Sequence, residues 1–231
     1  MSFEKEINKF FQLIAEVREE ALLLQKPFYT RITLLALLDA VSRVANPTIK
    51  INRDRFIQLI GQYANWELSD CYSLRQLSIL LSEPNAVALR PHIDGLINEI
   101  NKRMQKFPPP ASLVNANDID PSASDLESLL TSAIKDFIEP VRYPHLLWTL
   151  RNFIIHELRE PGRGIDFGLG KAFPYYHEII VDSGERTWEL FIPTEVFTTI
   201  LTNAANNLQK HLIEIDRNPW AAFPYNSKWY S

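Results

Sequence analysis

The amino-acid sequence predicts a mainly α-helical fold that carries one β-hairpin and a final helix near its C-terminal end. Apolar side chains recur three and four residues apart along most of the chain, which is the spacing of one helix face. Around DSGE (182–185) that spacing gives way to the alternation typical of strands. The 231 residues are enough to bury a sizeable core, and we expect one domain over residues 1–231.

The helices of the first half are predicted from their apolar spacing. An amphipathic helix over residues 3–25 is followed by a very apolar one over about 30–44, which we expect at the centre of the fold. Asn52 is expected to cap the next helix, because its side-chain oxygen can accept a backbone N–H. Two further helices are predicted over residues 71–82 and 88–105.

A segment without helical or strand period follows these helices. FPPPASLVNANDIDPSAS (107–124) is rich in turn-forming residues, which predicts a loop on the surface. Ser124 followed by Glu127 has the spacing of a capping box, which predicts a helix to about residue 138. PHLLWTLRNFIIHEL (144–158) is predicted as the next helix.

The last third of the chain changes character twice. EPGRGIDFGLG (160–170) holds four of the seven glycines and is predicted to be an irregular loop. YYHEIIV and RTWELFI flank DSGE, which predicts a β-hairpin at about 174–192. A final helix is predicted at about 194–215, and the aromatic tail (218–231) is expected to lie over the domain or in an interface.

The bulk composition limits the functions to consider. A net charge of -4 gives no strongly basic surface, so a nucleic acid would have to bind at a local basic patch. Cys71 is the only cysteine, which excludes an intrachain disulfide and a cysteine-rich zinc cage. The N-terminal MSFEKEINKFF lacks the apolar core of a signal peptide, and no stretch is long and apolar enough to span a bilayer. We therefore expect a cytoplasmic protein that makes no use of a membrane.

The predicted 144–158 helix carries a narrow polar stripe. At about 100° per residue, His145, Thr149, Asn152 and His156 fall within an arc of roughly 60°, and Arg151 lies further around. Apolar residues flank the stripe on both sides. A surface helix has a broad polar face instead, so this helix is expected to be mostly buried, with partners for its polar groups.

Two interpretations of this stripe are open. Asn152 and His156 lie four residues apart and could form a buried polar pair with each other or with a neighbouring helix. Arg151 favours a functional interpretation, because a guanidinium is almost never buried without an anion or acceptor. A cation, an amide and an imidazole together suit a phosphate, where histidine can transfer a proton near neutral pH.

The segment LRNFIIHEL (150–158) resembles the Arg-polar-x-x-x-His signature of the HEPN superfamily, the helical domains of many prokaryotic toxins and RNA-cleaving defence proteins. Arg151 matches the arginine of that signature, Asn152 its polar residue and His156 its histidine. The resemblance implies a HEPN-like helical bundle, to which the hairpin and the final helix are added.

The resemblance also implies a mechanism and an assembly. Active HEPN proteins are endoribonucleases that need neither metal nor cofactor. The 2′-OH of RNA attacks the adjacent phosphate, the histidine serves as acid or base, and the arginine stabilises the charge. Two motif helices build one site, so a chain with one motif is expected to form a homodimer through its 144–158 helix. The resemblance further allows an antitoxin protein as partner and, as the alternative function, a HEPN-like binding or assembly module without catalysis.

Three other sequence patterns lie near the motif. HELRE (156–160) begins like the zinc-binding HExxH, but Glu160 stands where the second histidine ligand is required, so no metal site is predicted. The spacing of GRGIDFGLG does not match a phosphate-binding glycine loop. Arg159, Arg163 and Lys171 could supply a local basic patch for an RNA strand, although a solvated loop is the plainer account of them. An unrelated helical protein therefore stays open as a third reading.

Overall fold

α-Helices make up most of the computed structural model of the chain, and a three-stranded antiparallel sheet accompanies them. The structure describes residues 2–24, 26–106, 113–161, 171–180, 184 and 186–223. The residues group into two compact units, one formed by Met1–Asn65 with Phe197–Ser231 and the other by Trp66–Val196. This arrangement confirms the predicted mainly helical fold with one hairpin and a final helix.

The first unit is built from three N-terminal helices and most of a C-terminal one: α1 (Glu4–Leu23), α2 (Pro27–Ala45), α3 (Asn52–Tyr63) and α10 (Thr194–Glu214). Its centre is α2, on which Leu34, Leu35 and Leu38 have no exposed surface at all. The expectation that the very apolar second helix lies at the centre is confirmed for this unit. Burial of such leucines stabilises the fold by roughly 2 kcal/mol each, which is why so apolar a helix lies inside the unit.

Two predicted helix starts in this unit were wrong. α2 begins at Pro27, three residues earlier than predicted, because proline suits the first helical position, where no N–H partner is needed. Asn52 does not cap α3. It is the first residue of the helix, while Ile51 holds the cap position without a side-chain bond. The side-chain oxygen of Asn52 instead accepts a bond from Arg55.

The described part of the aromatic tail packs on the first unit. The ring of Trp220 meets that of Phe10 edge-on, with centroids 5.2 Å apart. Arg217 just before it donates to the carbonyl oxygens of Val44 (2.8 Å) and Ala45 (3.1 Å), which terminate α2. A cation at a helix C-terminus satisfies carbonyls that have no partner inside the helix. The tail up to residue 223 therefore covers its own chain.

The second unit contains the remaining helices and the sheet. Its longer helices are α4 (Leu74–Ser82), α5 (Arg90–Met104), α8 (Ser132–Ile138) and α9 (Tyr143–Glu157), and its short ones are α6 (Ala116–Ile119) and α7 (Ala123–Leu126). Short 3-10 turns lie at Glu67–Asp70, Pro84–Leu89, Glu127–Leu129 and Glu139–Val141. Among the described residues of the chain, no helix is both long and apolar enough to cross a membrane.

The predicted hairpin is present as β2 (Tyr175–Ile180) and β3 (Arg186–Phe191), paired antiparallel from Tyr175 opposite Phe191. A third strand, β1 (Leu113–Asn115), pairs with the other edge of β2. The residues of β1 and of α6 were predicted to lie in a surface loop, and that prediction was wrong. A strand of three residues is too short to show a period, and its pairing partner lies about sixty residues away.

The capping box was also placed wrongly. Ser122, not Ser124, caps a helix, accepting from the Asp125 N–H while Asp125 accepts from the Ser122 N–H. That helix is only four residues long, and a new cap at Thr131 begins α8. One predicted helix to residue 138 is therefore two short helices, because serine and threonine interrupt the run with caps.

Candidate functional site

The motif helix α9 is anchored in the second unit by its first turn. Tyr143 is fully buried, and its hydroxyl donates to Asp120 Oδ2 at 2.6 Å. Leu147 and Ile154 continue the buried side of the helix, each with no exposed surface. The helix covers Tyr143–Glu157, one residue earlier at each end than predicted, and stops where Leu158 adopts a left-handed conformation with φ 52°. The chain direction changes there because that conformation cannot continue an α-helix.

A buried carboxylate connects the start of α9 to the rest of the unit. Asp120 is 7% exposed and accepts from the Leu74 N–H (2.9 Å) and the Tyr176 hydroxyl (2.8 Å), besides Tyr143. Ser73 Oγ lies 2.8 Å from the same Tyr176 hydroxyl. Burial raises the pKa of Asp120 to about 7, and the hydrogen bonds from Tyr143 and Leu74 oppose that rise. The network joins α4, α9 and β2 at one point.

His145, the first member of the polar stripe, pairs with an acidic residue. Its Nε2 lies 3.1 Å from Glu139 Oε1, and Arg142 approaches the same oxygen at 3.4 Å. Burial alone would raise the pKa of Glu139, but the hydrogen bond from His145 and the charge of Arg142 leave it below its ordinary value. These contacts account for His145 as a local structural group rather than a member of the motif.

The three motif residues converge on one guanidinium nitrogen. Arg151 Nη1 donates to Asn152 Oδ1 at 3.0 Å and lies 2.8 Å from His156 Nε2. Arginine has only donors, so His156 must accept at Nε2. An imidazole nitrogen that has a lone pair can accept a proton once such a contact is released.

An aromatic ring completes the setting of Arg151. The Arg151 guanidinium lies over the ring of Trp148, 5.0 Å from its centroid. Trp148 precedes Arg151 by three residues, which places the two on neighbouring positions of the helix surface. The stack limits the rotamers of a long side chain and orients its N–H groups. Trp148 was not among the residues predicted for the site, although its i,i+3 spacing from Arg151 was visible in the sequence.

The polar stripe is less buried than predicted. Thr149 and His156 are exposed, and Arg151 and Asn152 are half-buried. The expectation of a mostly buried helix holds for the opposite face alone, where Leu150 and Ile154 are covered. The motif therefore lies at the surface of the single chain, open to a ligand or to a second molecule.

The structure describes one of the two arginines that were predicted to bind RNA. Arg159 is exposed, with its guanidinium carbon 4.3 Å from the centroid of the Phe153 ring and its Nε 2.8 Å from Glu157 Oε2. These contacts hold a positive charge close to the end of the motif helix. Arg163 lies outside the described residues, as does most of the predicted glycine-rich loop.

A groove of about 300 Å³ lies beside α9 in the same unit. It is lined by residues of α4, α9 and β3 and by Glu160 and Pro161, where the chain leaves the helix. The groove could not be predicted from the sequence, because its walls come from three elements that are distant in sequence. Within the described part of the chain, no three histidine, cysteine or acidic side chains are grouped so that they could hold a metal ion.

Comparison with known proteins adds no relative to this description. Neither a protein-family model, nor a curated protein, nor a solved structure matches the chain.

Proposed function

We propose that this chain is a metal-independent endoribonuclease of the HEPN type, in which Arg151, Asn152 and His156 carry out the reaction. One observation carries the proposal. A single guanidinium nitrogen contacts both the amide oxygen of Asn152 and the imidazole nitrogen of His156. The resemblance to the Arg-polar-x-x-x-His signature requires these three groups to act together, and a purely structural role requires no such convergence at an exposed helix end.

The proposed reaction is a transfer of the phosphate within RNA. The 2′-oxygen forms a bond to phosphorus while the bond from phosphorus to the 5′-oxygen breaks. His156 Nε2 accepts the proton from the 2′-OH, and the His156 of a second copy, which has taken up a proton at Nε2 after its own Arg151 has turned to the phosphate, donates that proton to the leaving 5′-oxygen. The products are a 2′,3′-cyclic phosphate and a 5′-hydroxyl. No water and no metal enters this step.

Arg151 has two tasks in this scheme. In the free protein it donates to His156 Nε2, which orients the imidazole ring. When phosphate oxygens arrive, they are stronger acceptors for the guanidinium than a neutral imidazole. Arg151 then turns to the phosphate, stabilises the charge that develops on it, and releases Nε2 to accept the 2′-OH proton. Asn152 limits how far the guanidinium moves.

The exposure of the motif supports assembly into a homodimer. His156 is exposed and Leu158, which follows the helix, is 68% exposed. A second copy that packs its α9 against this face would cover both residues and place two histidines at one phosphate. Such an interface is isologous, with the twofold axis near the motif. Light scattering at micromolar concentration is expected to give a mass of two chains.

The experiment is cleavage of RNA by the purified full chain in the presence of EDTA. His156→Ala and Arg151→Ala are each expected to lower kcat/KM by about a hundredfold or more, because each removes a group that acts in the transition state. Asn152→Ala is expected to cost less, because an orienting amide changes geometry only. Analysis of the product ends should show the 2′,3′-cyclic phosphate.

Matched controls separate chemistry from folding. His92→Ala removes an exposed histidine on α5, and Arg186→Ala removes an exposed arginine that pairs only with Glu178 in the described contacts. Both should cleave like the wild type. If His156→Ala stays folded and dimeric and cleaves as well as the wild type, the catalytic assignment is wrong. A dimer that binds RNA without cutting it indicates the alternative, a non-catalytic HEPN-like module.

A further inference from the structure

We infer that the groove beside α9 binds a guanine base of the RNA next to the phosphate that is cut. This inference rests on the proposed function and assigns that same site a sequence preference. The groove contacts α9 at Thr149 and Leu150, and Thr149 lies one helical turn before Asn152 on the same side of the helix. A nucleotide whose phosphate reaches Asn152 therefore has its base within reach of the groove.

The size and lining of the groove suit a flat, neutral ring. Its volume of about 300 Å³ is at the lower end of the range typical of small-molecule sites. Leu150 and Ile192 are among its apolar lining residues and are 5% and 8% exposed. Unpaired RNA bases are commonly bound on apolar or aromatic surfaces while their edges form hydrogen bonds.

The charge of the lining favours a base over a phosphate. Glu189 lines the groove, and none of its described lining residues is a lysine or an arginine. The carboxylate of Glu189 repels a phosphate and attracts hydrogen-bond donors. The phosphate accordingly belongs at Arg151, while a donor-bearing base belongs in the groove.

The hydrogen-bonding groups match guanine in particular. A carboxylate has only acceptors, so Glu189 can take two adjacent N–H groups at once. Guanine presents its ring N1–H beside its 2-amino group, whereas the other three RNA bases present no two adjacent donors on that edge. The amide of Gln76, which lines the same groove, can donate to the neighbouring O6 of guanine.

Hydrogen bonds join α4, which carries Gln76, to β3, which carries Glu189. Arg75, next to Gln76 on α4, donates to the Trp188 carbonyl at 3.1 Å and to Thr187 Oγ1 at 2.8 Å. These bonds join α4 to β3 directly beside Glu189. Fixed partners lower the entropy that a ligand must overcome on binding.

The test measures nucleoside binding to the full chain by methyl NMR, independently of cleavage. Guanosine is expected to shift the methyl signals of Leu150 and Ile192. Inosine, which lacks only the 2-amino group, should bind about tenfold more weakly, and uridine more weakly still. Glu189→Gln should lower guanosine affinity about tenfold, while Glu189→Asp, which keeps the charge, should lose less. Glu178→Gln, an equal charge change elsewhere on the hairpin, should have no effect.

A second arm maps the cuts in RNA of mixed sequence. Cleavage is expected beside guanine, and Glu189→Gln should lower the rate beside guanine towards the rate beside the other bases, while the control Glu178→Gln should keep both the rate and the preference of the wild type. RNA cleavage without guanosine binding, or with a base preference that Glu189→Gln leaves unchanged, overturns the inference but not the proposed function. Guanosine binding without any RNA cleavage overturns the proposed function but not the groove. Equal binding of uridine and guanosine shows that the groove takes another ligand.

Discussion

The buried carboxylate Asp120 makes the stability of the chain depend on pH in an unusual direction. Its folded-state pKa is raised to about 7 from 3.8, chiefly by burial. The folded protein therefore holds the Asp120 proton more tightly than the unfolded chain does. Its contribution to the free energy of unfolding is fully present below about pH 4 and is lost as the pH rises through 7. Most buried carboxylates with strong partners show the opposite slope.

The magnitude follows from the size of the shift. One pKa unit corresponds to about 1.4 kcal/mol, so between pH 5 and pH 8 the ionisation of Asp120 should lower the free energy of unfolding by ~3 kcal/mol. Asp120→Asn has no such titration. The groups that face Asp120 are the hydroxyls of Tyr143 and Tyr176 and, at longer range, the charge of Arg103. The pKa of each tyrosine is raised well above 10 by burial, so neither titrates in this range.

The assay is urea unfolding of the wild type and Asp120→Asn at several pH values from 5 to 8. The difference between the two free energies of unfolding cancels the titration of every other group. We expect that difference to fall with rising pH. Asp125→Asn is the matched control, because the hydrogen bond from the Ser122 N–H lowers the pKa of Asp125 and its stabilisation is lost in acid instead. A wild-type advantage over Asp120→Asn that grows with pH would refute the reasoning, since it would mean that the hydrogen bonds outweigh burial.

Three further predictions concern α9 and its surroundings. Leu158→Gly should raise the free energy of unfolding of the single chain by up to ~1 kcal/mol in urea titrations at concentrations too low for dimerisation, because Leu158 is exposed there and in the left-handed region, where glycine has no steric cost. Ser73→Ala should lower the free energy of unfolding by ~1 kcal/mol, because Ser73 caps α4, and the melting temperature should fall as well. Arg159→Ala should weaken RNA binding severalfold and reduce its salt dependence by about one phosphate contact, as measured by fluorescence anisotropy at several salt concentrations.

The parts of the fold that could be predicted are those with a long local period. α9 was placed within one residue at each end because its apolar side is continuous over four turns. The hairpin was found from the change of period around a turn sequence, and both strands are present. β1 could not be found, because its register is set by pairing Leu113 with His177, and nothing local in three residues encodes that distant partner.

The sequence indicated Arg151, Asn152 and His156 as candidate site residues, but it did not indicate how these side chains contact one another. A helical wheel separates Arg151 widely from His156, so it does not predict their contact. The contact arises because the arginine side chain is long enough to reach five residues along the helix surface. Nothing in the sequence indicated that Asp120 is buried. An aspartate in a segment rich in Asn, Asp and Pro normally faces solvent, and the groups that bury it come from Ser73–Leu74, Tyr143 and Tyr176.

The two ends of α9 differ in how firmly they are held. At its first turn, Tyr143 is fully buried and bound to a buried carboxylate, so the helix axis is fixed there. At its last turn, His156 is exposed and its only described polar contact is with a side chain of the same helix. Under the proposed function a phosphate would replace that contact, because its oxygens are stronger acceptors for a guanidinium than an imidazole nitrogen is. A firmly held start and an exchangeable end would then let the motif change partners without any change of fold.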